Sequence, residues 1–287
     1  MMNQTEKLRE LLERPGIVLA PGCYDGISAR LIEQAGYDVA YMTGFGSSAS
    51  VLGLPDTGLM SFSEMSTHAA NLAAAISIPL IADADTGYGN AVNTYRTVKA
   101  YARSGVAGIQ LEDQVSPKKC GHTKGKQVVP LKEMVGKIRA ACDARAEQDI
   151  VVITRTDARA VNGFDDALER CLAFEEAGAD VIFFEAPENE AEMERVAQAV
   201  KAPKLINIVE DGKTPCLPAG ELERLGFKIA IYPAMLFTTA AWAMQRELAR
   251  FKAEGVVSTP ETRVRFSEIQ DIVGFPLYYE MEEKYGS

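Results

Sequence analysis

Three groups of residues in this sequence could do chemistry together. Carboxylates stand at short spacing in Asp83-Ala84-Asp85, with another at Glu112, and a thiol lies among cations in Lys118-Lys119-Cys120-Gly121-His122. Clustered carboxylates repel one another unless a proton or cation intervenes. Oxygen donors without histidine or thiolate suit Mg²⁺ or Mn²⁺ better than Zn²⁺. Asp83 and Asp85, at i and i+2 of an apparent strand, are expected to share one face, and Glu112 could complete the cluster. The competing reading is an acid pair that only caps the turn into Gly87-Tyr88-Gly89-Asn90. Cationic neighbours lower a thiol's pKa, so Cys120 is the cysteine with a reactive setting; Cys23 lacks nearby lysines. Gly44-Phe45-Gly46-Ser47-Ser48-Ala49 matches a dinucleotide fingerprint by letter, but the acid expected about 20 residues on is missing. Its backbone amides are read instead as a cradle for an anionic substrate.

Those residues need elements to bring them together. Glu33-Gln34-Ala35-Gly36, Ala102-Arg103-Ser104-Gly105, Glu175-Glu176-Ala177-Gly178 and Glu223-Arg224-Leu225-Gly226 each read as a helix tail ended by a left-handed glycine. A short apolar run follows each: Val39–Met42, Gly108–Leu111, Val181–Phe184 and Ile229–Tyr232. Such runs are apolar on both faces, as buried parallel strands must be. Four further strands fit the gaps, at Ile17–Pro21, Pro79–Asp85, Ile150–Arg155 and Lys204–Asn207. Strand ends at 21, 43, 85, 112, 155, 185, 207 and 233 span 233 − 21 = 212 residues in seven intervals, about 30 each, the size of a βα unit. Eight such units in fewer than 300 residues predict an α/β (β/α)8 TIM barrel, 1–287 as one domain, with no linker or composition shift dividing it. Barrel enzymes build their sites at the C-terminal ends of the strands. At or near those ends stand Thr43, Asp83, Asp85, Glu112, Arg155, Asp157, Glu185 and Asn207. Charge beside buried strands is costly unless paired or bound, so this set points to a polar pocket.

Composition narrows the function. The chain has 287 residues, 47% hydrophobic and 24% charged, and 30 Lys+Arg against 40 Asp+Glu give a net charge of −10. A nucleic-acid partner would call for a basic footprint, which this balance argues against. Five cysteines, an odd number in a chain too large to need staples, read as reduced thiols in a cytoplasmic protein. Cys171 falls at helical spacing after Asp165-Asp166-Ala167-Leu168 and reads as core, and His68 as an ordinary helix residue. No stretch reads as a signal peptide or membrane span, so no membrane partner is expected.

Taken in order, Leu52-Gly53-Leu54-Pro55-Asp56, Asp83-Ala84-Asp85, Glu112-Asp113-Gln114, Lys118-Lys119-Cys120-Gly121-His122 and Arg155-Thr156-Asp157-Ala158 resemble the isocitrate lyase/phosphoenolpyruvate mutase superfamily, over about Pro21 to Pro233. The lysine–cysteine–histidine element is the most specific and is similar to the carbon–carbon lyase branch, the 2-methylisocitrate lyases among them. The resemblance implies a Mg²⁺ shell of Asp56, Asp83, Asp85 and Glu112, some acting through water. It implies substrate contacts from Thr43, Gly44, Phe45, Gly121, Arg155, Glu185 and Asn207. Cys120 would protonate the departing carbanion of a retro-aldol cleavage, Arg155 would balance charge, Lys118 and His122 would tune the thiol, and Tyr41 is the candidate for taking the hydroxyl proton. It further implies C-terminal helices exchanged between subunits of a homotetramer. The near-uniform apolarity of Leu236–Met244 is a hint of this in the sequence itself.

Two departures shape the substrate. Thr238 stands where the tricarboxylate-cleaving branch carries an arginine, and Val209 where it carries a hydroxyl residue. Loss of a bidentate clamp removes the best partner of a third carboxylate. The expected substrate is therefore a substituted 2-hydroxy dicarboxylate, 2,3-dimethylmalate-like. Pro233 resembles the lyases, whereas the oxaloacetate-hydrolysing relatives resemble one another in a serine there. The competing readings are a 2-methylisocitrate (tricarboxylate) lyase, an oxaloacetate hydrolase or phosphonate C–P enzyme on the same barrel, and a ligand-binding barrel without catalysis.

Overall fold

The computed structural model describes residues 3–121, 123, 125–145, 149–259 and 263–286. Eight strands, β1 (Val18–Cys23), β2 (Ala40–Met42), β3 (Leu80–Asp83), β4 (Gly108–Glu112), β5 (Val151–Thr156), β6 (Val181–Phe184), β7 (Lys204–Asn207) and β8 (Ile229–Tyr232), pair in chain order and in parallel. β1 closes on β8 with Val18 opposite Ile229, completing the predicted barrel. The four glycines read as helix ends all adopt the left-handed backbone that stops a helix, with φ of 82° at Gly36, 85° at Gly105, 102° at Gly178 and 96° at Gly226.

The strands serve two apolar layers, as residues alternating across a pleat must. Tyr41, Ile81, Ile153, Phe183, Leu205 and Ile231 belong to one buried cluster, and Leu8 and Leu11 of the helix Gln4–Glu13 join it. Met42, Leu80, Ala82, Ile109 and Val152 face the other way and pack with helix residues such as Leu72, Ile138 and Phe174. Each large side chain so buried contributes about 1.5–3 kcal/mol. Cys171 is fully buried in this outer layer, as read. The helix Phe164–Glu176 around it carries Asp165 and Asp166 in its first turn, where the helix dipole favours acids.

Two sequence expectations need correction. β1 runs on to Cys23 rather than stopping at Pro21. β3 ends at Asp83, and Asp85 lies beyond it in a turn with φ 47°, so the two acids are not successive same-face residues of one strand. Among the described residues no helix is long and apolar enough to cross a membrane.

After β8 the chain forms helices Met235–Glu254, Phe266–Val273 and Phe275–Tyr285. The long helix buries none of its residues, and Trp242, Met244 and Leu248 are 59%, 59% and 68% exposed. Its first turn still touches the barrel mouth, where Phe237 packs edge-on against Phe45 at 5.4 Å and Tyr24 at 5.6 Å.

Candidate active site

A cavity of about 140 Å³ opens at the C-terminal ends of the strands. Tyr41, Thr43, Gly44, Phe45, Asp56, Asp83, Lys118, Cys120, Gly121, Arg155, Glu185 and Asn207 line it, together with Val209, Ile231, Pro233 and Ala234. Such a volume suits a small acid and falls well below the roughly 300–1,000 Å³ of sites for drug-sized ligands. Of the residues singled out from sequence, Asp85 and Glu112 stand just behind this lining, and His122 lies outside the described residues.

Each wall has its own physical cause. Thr43 caps a short helix, Gly44–Ser47, by accepting from the Gly46 amide at 3.3 Å. The Gly44 and Phe45 amides in that first turn have no helical carbonyl to bond. Glycine suits position 44, because a Cβ there would sit 2.5 Å from an Asp83 carboxylate oxygen and displace it. It suits position 121 for the same reason, since a Cβ would overlap the Arg155 guanidinium and the Glu185 carboxylate. The chain before Cys120 is braced by Gln114, whose amide donates to the Lys119 carbonyl at 2.8 Å and accepts from the Lys119 N–H at 2.9 Å.

Arg155 is the electrostatic hub. Its fork donates to both oxygens of Asp157 at 2.9 Å, its ion-pair distances are 3.4 Å to Glu112 and 3.9 Å to Glu185, and it lies 5.3 Å from the Phe183 ring. Asn207 donates to Glu185 at 3.4 Å. On the opposite side the Lys118 ammonium donates to Asp56 and stands 3.0 Å from Asp85. Lys118, expected to tune the Cys120 thiol, thus has its ammonium paired with two carboxylates.

Tyr41, the candidate for taking the hydroxyl proton, is itself hydrogen-bonded. Its hydroxyl donates to Gln110 at 2.7 Å, and the Gln110 amide donates to Asp83 at 3.2 Å. Burial, reinforced by the Asp83 carboxylate, pushes the phenol well above its usual pKa. A phenol so placed stays protonated and donates a hydrogen bond.

The acids carry a surplus of unneutralised charge. Burial outweighs Lys118 at Asp83 and lifts its carboxyl to about 6, and burial likewise raises Asp85 and Glu112. One oxygen of Glu112 is buried with no hydrogen-bond donor. Yet no three acidic, histidine or cysteine side chains among the described residues are close enough to hold an ion as they stand. The expected set of Asp56, Asp83, Asp85 and Glu112 is gathered on one side with Lys118 among it, not folded into a cage. All-oxygen donors with charge to spare fit a Mg²⁺ ion that keeps several waters and leans on one or two carboxylates.

Sequence reasoning missed a second buried layer. Asp113 accepts from Thr156 at 2.7 Å, from the Asp157 amide at 2.9 Å and from Arg170 at 3.1 Å. Lys126 donates to Asp157 at 2.6 Å. Gln110 had a legible signal, a polar residue inside an apolar strand run. Lys126, in a polar stretch, had none.

A model of the phosphoenolpyruvate phosphomutase family matches residues 8–252. The 2,3-dimethylmalate lyase of Eubacterium barkeri is 48% identical over 287 residues, covering 100% of this chain and 99% of its own. The solved structure of oxaloacetate acetylhydrolase in complex with 3,3-difluorooxalacetate superposes with a TM-score of 0.95 at 37% identity, covering 100% of this chain and 98% of that one. Phosphonopyruvate hydrolase, solved with oxalate and Mg²⁺, superposes with a TM-score of 0.90 at 32% identity and full coverage of both chains.

Proposed function

The chain belongs to the phosphoenolpyruvate mutase/isocitrate lyase superfamily, and within it we propose a Mg²⁺-dependent carbon–carbon lyase that splits a 2,3-dimethylmalate-like dicarboxylate into a 2-oxo acid and a carboxylate. One observation carries the reading: Cys120, Arg155 and the Thr43–Phe45 turn meet around one small cavity whose flank is an under-neutralised acidic cluster. Bound Mg²⁺ would supply Lewis acidity to the substrate hydroxyl and carboxylate, held by Asp83, Asp85, Glu112 and Asp56, in part through water.

The residues divide the remaining work. The Thr43–Gly44–Phe45 turn cradles the 2-hydroxy acid end. As the hydroxyl passes its proton to solvent, the C2–C3 bond breaks, its electron pair stays on C3, and a 2-oxo acid forms. Arg155, fixed by Asp157, neutralises charge that grows on the departing fragment. Cys120 delivers its proton to C3 as general acid and regains one from solvent. Glu185 and Asn207 orient the fragment's carboxylate side, and Tyr41 and Gln110 hold Asp83 in place.

The apolar side of the cavity, Val209, Ile231, Pro233 and Ala234, suits alkyl groups at C3. Thr238 is exposed, does not line the cavity and bonds the Ala234 carbonyl at 3.0 Å, so it gives a third carboxylate no partner. The test is a screen of substituted malates with Mg²⁺, read by 2-oxo acid formation. We expect dimethylmalate to exceed 2-methylisocitrate in kcat/KM, and a preference for the tricarboxylate would overturn the reading. Oxaloacetate hydrolysis is the second reading, favoured by the fold likeness to the acetylhydrolase, and oxalate release from oxaloacetate tests it directly.

The proposal extends to the assembly. The chain acts as one unit, 1–287, and its exposed C-terminal apolar faces are covered by partner subunits in a helix-exchanged homotetramer. The odd set of five cysteines suits a reducing, cytoplasmic setting.

A further inference from the structure

Lys126 is six residues past Cys120, and its side chain is only 2% exposed. A lysine in a polar loop ordinarily keeps its ammonium in water while its stem lies on the surface. This one is turned inward between two exposed neighbours, Gly125 and Gln127. Its ammonium donates to the Gly121 carbonyl at 2.5 Å and to Asp157 at 2.6 Å. The two acceptors belong to the two halves of the site. Gly121 is the residue after the thiol, and its Cα lies against Arg155 and Glu185 with no room for a Cβ. Asp157 holds the Arg155 fork through both of its oxygens. Asp157 is in turn fixed from behind, where its amide donates to Asp113 at 2.9 Å, and Asp113 is tied to Arg170 at 3.1 Å.

We propose that Lys126 is a positioning residue, which clamps the Cys120–Gly121 turn to the Asp157–Arg155 pair and so keeps the thiol and the guanidinium in mutual register. The braces at Gln114 and Lys119, by contrast, act within the loop itself. Arg155 keeps its bidentate bond to Asp157 without Lys126, so removal frees the turn first and the arginine second. The assignment rests on the lyase reading for its effect on turnover, but its effect on the turn does not.

The experiment uses the full-length protein with Mg²⁺ and the variant Lys126→Ala. Alkylation of Cys120 by iodoacetamide is followed peptide by peptide, with exposed Cys216 as the reference and buried Cys23 and Cys171 as reporters of general loosening. A thiol released from a fixed turn should label about tenfold faster relative to Cys216 while Cys23 and Cys171 stay protected. Turnover of dimethylmalate should fall about 100-fold in kcat with KM little changed, as expected for misplacement by about 1 Å. Added ethylammonium, which can re-enter the space of the missing amine, should restore both readouts in part. A labelling ratio equal to that of the wild type, or labelling of Cys23 and Cys171 together with Cys120, overturns the assignment. If the alanine variant does not fold, Lys126→Met, which keeps the volume of the stem, is read the same way. A wild type that cleaves no substituted malate refutes the lyase reading alone, because the labelling ratio still decides the role of Lys126.

Discussion

Gly121→Ala adds one methyl group at the point where the loop touches the two strands that hold Arg155 and Glu185. That methyl would overlap both the guanidinium and the carboxylate. Both partners resist displacement: Arg155 is held by two bonds of 2.9 Å to Asp157 and by the Phe183 ring, and Glu185 is only 1% exposed. The loop must therefore retreat by about 1 Å to restore ordinary contact, and it carries Cys120 with it. A displacement of that size from the reacting geometry costs about 100-fold, equivalent to about 2.7 kcal/mol of transition-state stabilisation. Gly121 does not occupy the left-handed backbone region, so alanine adds no backbone strain there. The thermal transition should consequently shift by no more than a few degrees while kcat collapses. The assay pairs steady-state kinetics on dimethylmalate with a melting curve. Turnover within about threefold of wild type, on a folded variant, would mean that the loop works away from Arg155, and the contact geometry would lose its catalytic meaning.

Other substitutions separate the remaining roles. Cys120→Ser should reduce cleavage at least about 100-fold, the lower range for a general acid, while Mg²⁺ binding by calorimetry is unchanged. Tyr41→Phe should cost only about tenfold in kcat, since it removes a donor to Gln110 and not a base; a loss approaching that of Cys120→Ser would restore Tyr41 as the base. The raised Asp83 carboxyl, near 6, means that the folded protein holds a proton which the unfolded chain releases near 3.8. Stability in EDTA should therefore fall as pH rises through about 4 to 6, and Asp83→Asn should flatten that slope in urea titrations. Mg²⁺ should reverse the trend by binding the ionised form, raising the melting temperature more at pH 7.5 than at pH 5.

The barrel was legible because its signal repeats. A helix tail, a glycine and an apolar run recur at Gly36, Gly105, Gly178 and Gly226, and each glycine has the same left-handed conformation because only that conformation ends the helix and turns the chain into the next strand. Strand ends were legible to within about two residues, since a buried parallel strand is apolar throughout and its limit shows only when a polar residue appears. Asp83-Ala84-Asp85 failed for that reason. Alternation put both acids on one strand, but β3 pairs with β4 only as far as Asp83, and Asp85 takes φ 47° in the turn, where its N–H bonds back to Asp83 at 3.0 Å.

The site's members were legible and their pairings were not. Carboxylates, a thiol and an arginine at strand ends announce a polar pocket, because burial of such groups is too costly to be incidental. Which cation meets which anion depends on side-chain reach across the barrel, and sequence spacing carries no trace of it. Lys118 and Lys126 illustrate this most sharply. Both stand in the loop that carries Cys120, and adjacency suggested that Lys118 would act on the thiol. In the structure Lys118 crosses to Asp56 and Asp85, which lie 62 and 33 positions before it in the chain, while Lys126 binds Gly121 and Asp157. The two lysines thus face different acids, Lys118 the Asp56 and Asp85 carboxylates and Lys126 the Asp157 that holds Arg155. On the proposed lyase reading, that arrangement would let one small cavity hold the substrate alcohol beside the Asp56–Asp85 acids and the leaving fragment beside Arg155.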